Sequence, residues 1–176
     1  MDTKHSGCNW EKVLRDGPSL KWLVEKLVRM LKNKKFADKF DGIAVSGYSM
    51  SLLSPIVAYK LGKDVCVVPK DNERRNSGWK AEGKHSMRWL VIDDLVCSGR
   101  TLERINHAVK DIDGEIAGVI LWHSTSDEFT VSYSYLDEND NIWKDVEFPL
   151  WSSFHAQNIM EDNAKKAAGL PPVKRL

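Results

Sequence analysis

Residues 91 to 101 read Val91-Ile92-Asp93-Asp94-Leu95-Val96-Cys97-Ser98-Gly99-Arg100-Thr101. An apolar strand delivers two acids, then a small loop of hydroxyls and glycine. Leu102, Ile105, Val109 and Ile112 follow at helical spacing up to Gly114, so the loop opens a helix. A helix N-terminus offers unpaired N–H groups and the positive end of the macrodipole. Amides around Ser98 to Thr101, with both hydroxyls, can therefore hold a phosphate monoester. Gly99 allows close backbone approach. Two carboxylates one step upstream repel a phosphate, but they accept hydrogen bonds from the vicinal hydroxyls of a ribose or bind Mg²⁺. Phosphate on one side and sugar on the other describe a ribose-5-phosphate site. The plainer alternative, Asp93-Asp94 as a helix cap, needs one acid only and leaves the rest of the register unexplained.

Outward from this segment the chain alternates strands and helices. Leu20, Leu23, Val24, Leu27, Val28 and Leu31 form a helical stripe after the breaker Asp16-Gly17-Pro18-Ser19. Gly42 to Ser46 (GIAVS) is a short strand ending in Gly47-Tyr48-Ser49, and a helix then runs to Gly62. Asp64 to Pro69, Arg88 to Asp94 and Ile116 to Trp122 supply three more β-rich runs. The fold class expected is α/β, an open, mostly parallel twisted sheet flanked by helices. Beyond Ser126 the pattern changes to alternation at Phe129, Val131, Tyr133 and Tyr135, then a DENDN turn and Ile142 to Phe148. That predicts a small C-terminal antiparallel hairpin, with a helix over 157–168 after it. One domain over 1–176 is expected, its core about 18–126 and the hairpin and tail about 127–176.

Composition narrows the function classes. Of 176 residues, Lys plus Arg number 26 against 25 Asp plus Glu, a formal charge of +1, so no bulk basic field points to nucleic acid. Any anion site must be local. No run approaches the ~18 apolar residues of a membrane span, and the amino terminus has no apolar targeting region, so no membrane partner and a cytoplasmic protein are expected. The three cysteines, Cys8, Cys66 and Cys97, are widely spaced and read as reduced thiols. A Walker A loop ending at Thr101 would need glycine at 94 and lysine at 100, where Asp94 and Arg100 stand, and no GxGxxG follows any strand.

VIDDLVCSGRT resembles the PRPP-binding motif of type I phosphoribosyltransferases, and VIDDLV is most similar to the xanthine-guanine members. The stretch GIAVSGYSMSLLSPIVAYKLGKDVCVVPK is similar to the family's preceding strand, pyrophosphate loop, helix and strand, and the likeness runs over roughly 36–151. It implies transfer of ribose 5-phosphate from PRPP to a nitrogenous base, purine favoured, with release of pyrophosphate and Mg²⁺ as cofactor. By the same resemblance Asp93 and Asp94 would hold the ribose hydroxyls and the metal. Cys97, Ser98, Gly99, Arg100 and Thr101 would form the 5-phosphate loop and Gly47, Tyr48 and Ser49 the pyrophosphate loop. Lys70, ending the second strand, would be a catalytic basic residue in contact with the pyrophosphate. Residues 71–87 correspond to the family's mobile loop, with Arg74, Arg75, Lys80 and Lys84 as its anion-facing groups. The hairpin resembles an aromatic hood, with Trp143 and Phe148 as base-stacking candidates, and the family implies a homodimer.

The sequence departs from that pattern at two places. Cys97 stands where purine enzymes of the xanthine-guanine and hypoxanthine-guanine type carry an acid toward the base, whereas orotate and adenine enzymes lack an acid there too. In the hood, the tryptophan expected four residues before Pro149 is replaced by Asp145, with Trp143 two residues earlier. Two other functions fit parts of the chain. Gly47-Tyr48-Ser49-Met50-Ser51 approximates a serine hydrolase nucleophile elbow with Ser49 as nucleophile, although the fifth position is not glycine. A regulator of the same fold could sense PRPP or nucleotide without turnover.

Overall fold

The computed structural model describes residues 17–33, 35–70, 82–83, 86–93, 99–121, 130–137 and 142–153. In chain order the elements are α1 (Gly17–Asn33), β1 (Gly42–Ser46), α2 (Tyr48–Leu61), β2 (Asp64–Val68), β3 (Glu82–Gly83), β4 (Arg88–Asp93), α3 (Arg100–Lys110), β5 (Glu115–Leu121), β6 (Thr130–Asp137) and β7 (Ile142–Ser153). The strands form a sheet ordered β3-β2-β1-β4-β5-β7-β6. β2, β1, β4, β5 and β7 run parallel, and β3 and β6 are antiparallel at the two edges. The expected α/β class and mostly parallel sheet are present, and the predicted helix over 157–168 lies outside the described residues.

Side-chain alternation divides the core into two layers. Ile43, Val45, Leu90 and Ile92 point to the face covered by α1 and α2, where Leu23, Leu27, Leu31, Leu53 and Val57 meet them. Ala44, Cys66, Val68, Trp89 and Val91 point to the face covered by α3, against Leu102, Ile105 and Val109. β1 and β4 are buried along nearly their whole length, as expected of strands covered on both faces. Burial pushes the Cys66 thiol up to about 11, so it stays protonated.

Helix ends follow the sequence at one place and not at another. Gly62 caps α2 in the left-handed region at φ 64, and Lys63 N–H donates to the Ala58 carbonyl at 2.9 Å. After α3 the left-handed residue is Asp113, at φ 57, rather than Gly114. Asp tolerates that conformation. Gly114 serves a different need, because a methyl group there would lie 2.8 Å from the Trp89 indole nitrogen.

The hairpin is not a detached cap. β6 and β7 pair from Thr130 with Pro149 to Asp137 with Ile142, and β7 then continues past the predicted end at Phe148 to join β5 in parallel, Val119 with Leu150 and Leu121 with Ser153. Trp151 lies across Gly118 and stacks on Phe36 at 4.8 Å. A side chain at Gly118 would occupy the space of the indole. Gly118→Val gains strand propensity on the order of 1 kcal/mol, yet expelling the ring outweighs it, for a net loss of about 2 kcal/mol in urea unfolding. A variant as stable as the parent would show that Trp151 does not pack there.

At the amino-terminal edge of the sheet, Arg88 Nη2 donates to Asp41 Oδ1 at 2.8 Å, and its Nε and backbone N–H donate to Oδ2 at 3.1 Å. This pairing holds the Asp41 carboxyl below its usual range. Ser86 Oγ donates to Asp64 Oδ2 at 2.6 Å, and Lys63 Nζ to the Phe40 carbonyl at 2.8 Å. These contacts tie strand starts together on the edge away from the two turns.

Candidate functional site

β1 and β4 are parallel neighbours, and the chain leaves them in opposite directions. From β1 it crosses through α2 on one face to β2. From β4 it crosses through α3 on the other face to β5. In an open parallel sheet that reversal leaves a crevice at the carboxyl ends of the two strands, with two helix N-termini converging on it. Gly47 follows β1 directly, and Asp93 is the last residue of β4.

Gly47 is the N-cap of α2, with φ 89 and ψ 160, a conformation open essentially to glycine alone. Its cap makes no side-chain hydrogen bond, while its carbonyl accepts from Ser51 Oγ at 2.8 Å and from Ser51 N–H at 3.2 Å. Lys70, exposed just beyond β2, lays its side chain over this turn. A methyl group on Gly47 would sit 3.2 Å from Lys70 Cε and 3.6 Å from its ammonium nitrogen. Gly47, expected from the resemblance to belong to the pyrophosphate loop, and Lys70, 23 positions apart in sequence, are thus brought together. Tyr48 and Ser49 are the first two residues of α2.

Asp93 ends β4 with 8% of its surface exposed, on the α3 face beside Leu121 of β5. Gly99 is the N-cap of α3 at φ 71, and Arg100 and Thr101 open the helix, the first exposed and the second half-buried. α3 carries Glu103 in its first turn and His107 and Lys110 in its last, matching the dipole. Asp94, Cys97 and Ser98 lie outside the described residues, as do Arg74, Arg75, Lys80 and Lys84 of the basic stretch. Within that stretch the structure adds β3, which pairs Cys66 with Gly83 and Val67 with Glu82. Two residues carry no periodicity, so no local pattern announces such a strand.

The hairpin meets the α3 turn closely. A methyl group on Gly99 would lie 2.5 Å from Tyr133 Cβ, 3.1 Å from Tyr133 Cα and 3.4 Å from the Ser132 carbonyl oxygen. Asn106 Nδ2, buried on α3, donates to the Tyr133 phenolic oxygen at 2.8 Å. Burial raises the Tyr133 phenol above its ordinary value, against an opposing pull from the Asn106 hydrogen bond, so the phenol stays neutral as an acceptor. Sequence reasoning missed this brace, for which the only sequence signal was the alternation that turns Tyr133 inward.

The aromatic candidates need correction. Phe148 is 7% exposed and lies in the core of the α3 face, its ring 6.2 Å from that of Tyr133. It is a packing residue rather than a surface for a base. Trp143 is 68% exposed, opposite Leu136 near the far end of the hairpin. Seven positions of strand, about 23 Å, separate it from Leu150. The hydrolase reading also fails on geometry. A nucleophile elbow strains its serine, whereas Ser49 is a helical residue and the described non-glycine residues with positive φ are Lys35 and Asp113. Of the downstream residues that would have to complete a triad, His123, His155 and Asp127 lie outside the described residues, and Asp137 is ion-paired with Lys144 on the hairpin.

As for metal binding, Asp93 ends β4 and Asp94 follows it in sequence, carboxylates of the kind that suits a hard cation, while among the described residues no group of three or more His, Cys, Asp or Glu could hold a metal ion. No helix among the described residues is long and apolar enough to cross a membrane.

No family model matches the chain. Among curated proteins, the orotate phosphoribosyltransferase of Pyrobaculum islandicum is 27% identical over 112 residues, covering 62% of this chain and 56% of that protein. The adenine phosphoribosyltransferase of Clostridium botulinum strain Loch Maree is 27% identical over 125 residues, covering 61% of this chain and 69% of its own length. The chain therefore spans little more than half the length of the orotate relative. Among solved structures, adenine phosphoribosyltransferase from Saccharomyces cerevisiae, in complex with adenine and an imino-altritol bisphosphate, aligns with a TM-score of 0.51 at 16% identity, over 62% of this chain and 70% of that one. Orotate phosphoribosyltransferase from Aeropyrum pernix aligns at 0.50 and 15% identity, over 63% and 62%. At these identities the structural likeness speaks to fold alone. Relatives and fold neighbours are type I phosphoribosyltransferases, the family that the motif resembles.

Proposed function

From this likeness in sequence and fold we propose that the chain transfers ribose 5-phosphate from PRPP to a nitrogenous base and releases pyrophosphate. The observation that carries the proposal is the meeting of two helix N-termini and Asp93 in one crevice, at the carboxyl ends of β1 and β4. The α3 turn from Gly99 to Thr101 is assigned the 5-phosphate, Asp93 and Asp94 the ribose hydroxyls, and the Gly47 turn with Lys70 the pyrophosphate.

Loss of pyrophosphate from C1 leaves positive charge on the sugar ring and negative charge on the departing group. Backbone N–H groups at the start of α2 and the Lys70 ammonium face the anion as it forms, which lowers the barrier without an enzyme nucleophile. Asp93 orients the sugar so that the ring carbon faces the incoming base. Asp93 and Asp94 are the groups that would hold Mg²⁺, which supplies further positive charge to the leaving diphosphate. The basic stretch from Asp71 to Met87 is assigned to cover the site and exclude water.

Base identity is left to experiment between two classes. The motif favours a purine, while Cys97 replaces the acid expected for 6-oxopurines, and the curated relatives include orotate and adenine enzymes. The test is pyrophosphate release from PRPP with Mg²⁺ and, in turn, orotate, adenine, guanine, hypoxanthine and xanthine. Base-dependent release supports the proposal. PRPP binding without release for any base would identify a sensor, and no binding of PRPP would remove the assignment altogether. Pairing of two copies, which the family resemblance implies, is read from light scattering of the same sample.

A further inference from the structure

The two sides of the sheet are unequally covered at the hairpin. On β7, Phe148 and Val146 face α3, so Trp151, Pro149, Glu147, Asp145 and Trp143 face the side of α1 and α2. Trp151 is covered there by Phe36 and Phe40. The four others in that row are exposed, as are Ser132 and Ser134, opposite Glu147 and Asp145 on β6. The helices thus roof this side of the sheet out to Trp151, and past it the ribbon is bare. The step between the two levels is about 10 Å, the thickness of a helix.

Charge divides along the same step. Residues 127–153 hold seven acids and one lysine, and residues 17–39 hold seven Lys and Arg and two acids, in a chain whose formal charge is only +1. On the bare face stand Asp145 and Glu147, with Trp143 at 68% exposure beyond them. On α1, Trp22, Glu25, Arg29 and Lys32 follow at spacings of three and four, so they share the face turned away from the sheet, and all are exposed. Trp22 is 43% exposed, with the Lys26 ammonium 5.1 Å from its ring. An antiparallel ribbon can leave one face to water, but solvation alone gives no reason for an exposed indole among acids.

We propose that the bare ribbon face docks on the outer face of α1 in a second copy of this chain, and that the exchange is reciprocal. The chain's own α1 cannot fill the place, because its apolar stripe is packed with Ile43, Leu90, Ile92 and Ile120 of β1, β4 and β5. Helix and bare face lie next to each other on one side of the sheet. A two-fold axis running between them along the strands therefore sets each ribbon on the other copy's helix. The raised helix enters the step, Asp145 and Glu147 meet Arg29 and Lys32, and Trp143 and Trp22 supply the aromatic surface. Both contacts form together, giving a closed pair rather than an open chain. Leu150 pairs in parallel with Val119, so the ribbon runs back from there to Trp143 toward the amino-terminal edge of the sheet. The crevice at the carboxyl ends stays open in the pair. The inference goes beyond the proposed function and does not depend on it.

The experiment is sedimentation velocity and light scattering of the full chain and of two double variants, with circular dichroism and thermal melting of each. One carries Asp145→Lys and Glu147→Lys, the other Arg29→Glu and Lys32→Glu. The parent is expected to pair, with a dissociation constant that rises as salt is added. Each double variant should pair about 10²-fold more weakly, because like charges then meet at both contacts. An equal mixture of the two variants should pair as the parent does, since in the mixed pair both contacts again join opposite charges. Should a double variant melt below the parent, the single reversals Glu147→Lys and Arg29→Glu are mixed in its place. A monomeric parent would overturn the inference. So would variants that pair as tightly as the parent, which would place the interface elsewhere, or a mixture that fails to pair.

Discussion

Asp93→Asn is expected to lower the turnover of pyrophosphate release by about 10²-fold or more, while the melting temperature changes little. The substitution keeps the shape of the side chain and removes its charge. What it takes away is a preorganised group at the crevice rather than a packing contact, and removal of one such group costs 10²–10³ in rate elsewhere. Asp94→Asn is expected to act alike, since both acids serve the same sugar and cation. Turnover is measured with saturating PRPP and base, so that weakened binding does not disguise itself as slow chemistry. A fully active Asp93→Asn protein would contradict the assignment of the crevice.

Gly99→Ala is the second large effect. At φ 71 an alanine is strained by its own backbone, and its methyl would meet Tyr133 Cβ at 2.5 Å. Neither atom can rotate away, because each is fixed to its backbone. The start of α3 or strand β6 must therefore move by about 1 Å, and misplacement on that scale costs on the order of 10² in rate. We expect kcat/KM to fall by about that factor. Stability should fall by about 2 kcal/mol, from left-handed strain together with the clash. Steady-state kinetics and urea unfolding on one preparation check both. An alanine variant with parental kinetics would mean that the turn is not held against the hairpin.

The parts of the fold legible in the sequence are those whose cause is local. GIAVS, DVCVV and RWLVID are short apolar runs bounded by polar residues, and they are the parallel strands β1, β2 and β4, the first and last of them buried along nearly their whole length. Gly62 ends α2 because only a residue at ease with φ 64 can close that helix there. The extension of β7 could not be read in the same way. Leu150 to Ser153 show no alternation, and their partner β5 lies some thirty residues upstream, so their strand character comes from tertiary pairing. Phe148 was legible as an aromatic of the hairpin, but which way it faces is set by its pairing with Val131 and by α3 beyond it.

The candidate site divides along the same line. Asp93, Gly99 and Gly47 stand out because an acid at a strand end or a glycine before a helix has chemical meaning within a few residues. The bond from Asn106 to Tyr133 acquires its meaning only from neighbours that the fold supplies. Phe148 was misread because its composition suits either role and only burial decides between them.

The closeness of Tyr133 to Gly99 bears on any attempt to exchange recognition parts between such proteins. A foreign ribbon grafted in place of 130–153 would bring its own residue against the glycine and its own group, or none, to Asn106. Chimeras that move the ribbon alone should come out soluble but poorly active whatever base they were built for, and those that carry Gly99, Asn106 and Tyr133 as a matched trio should recover.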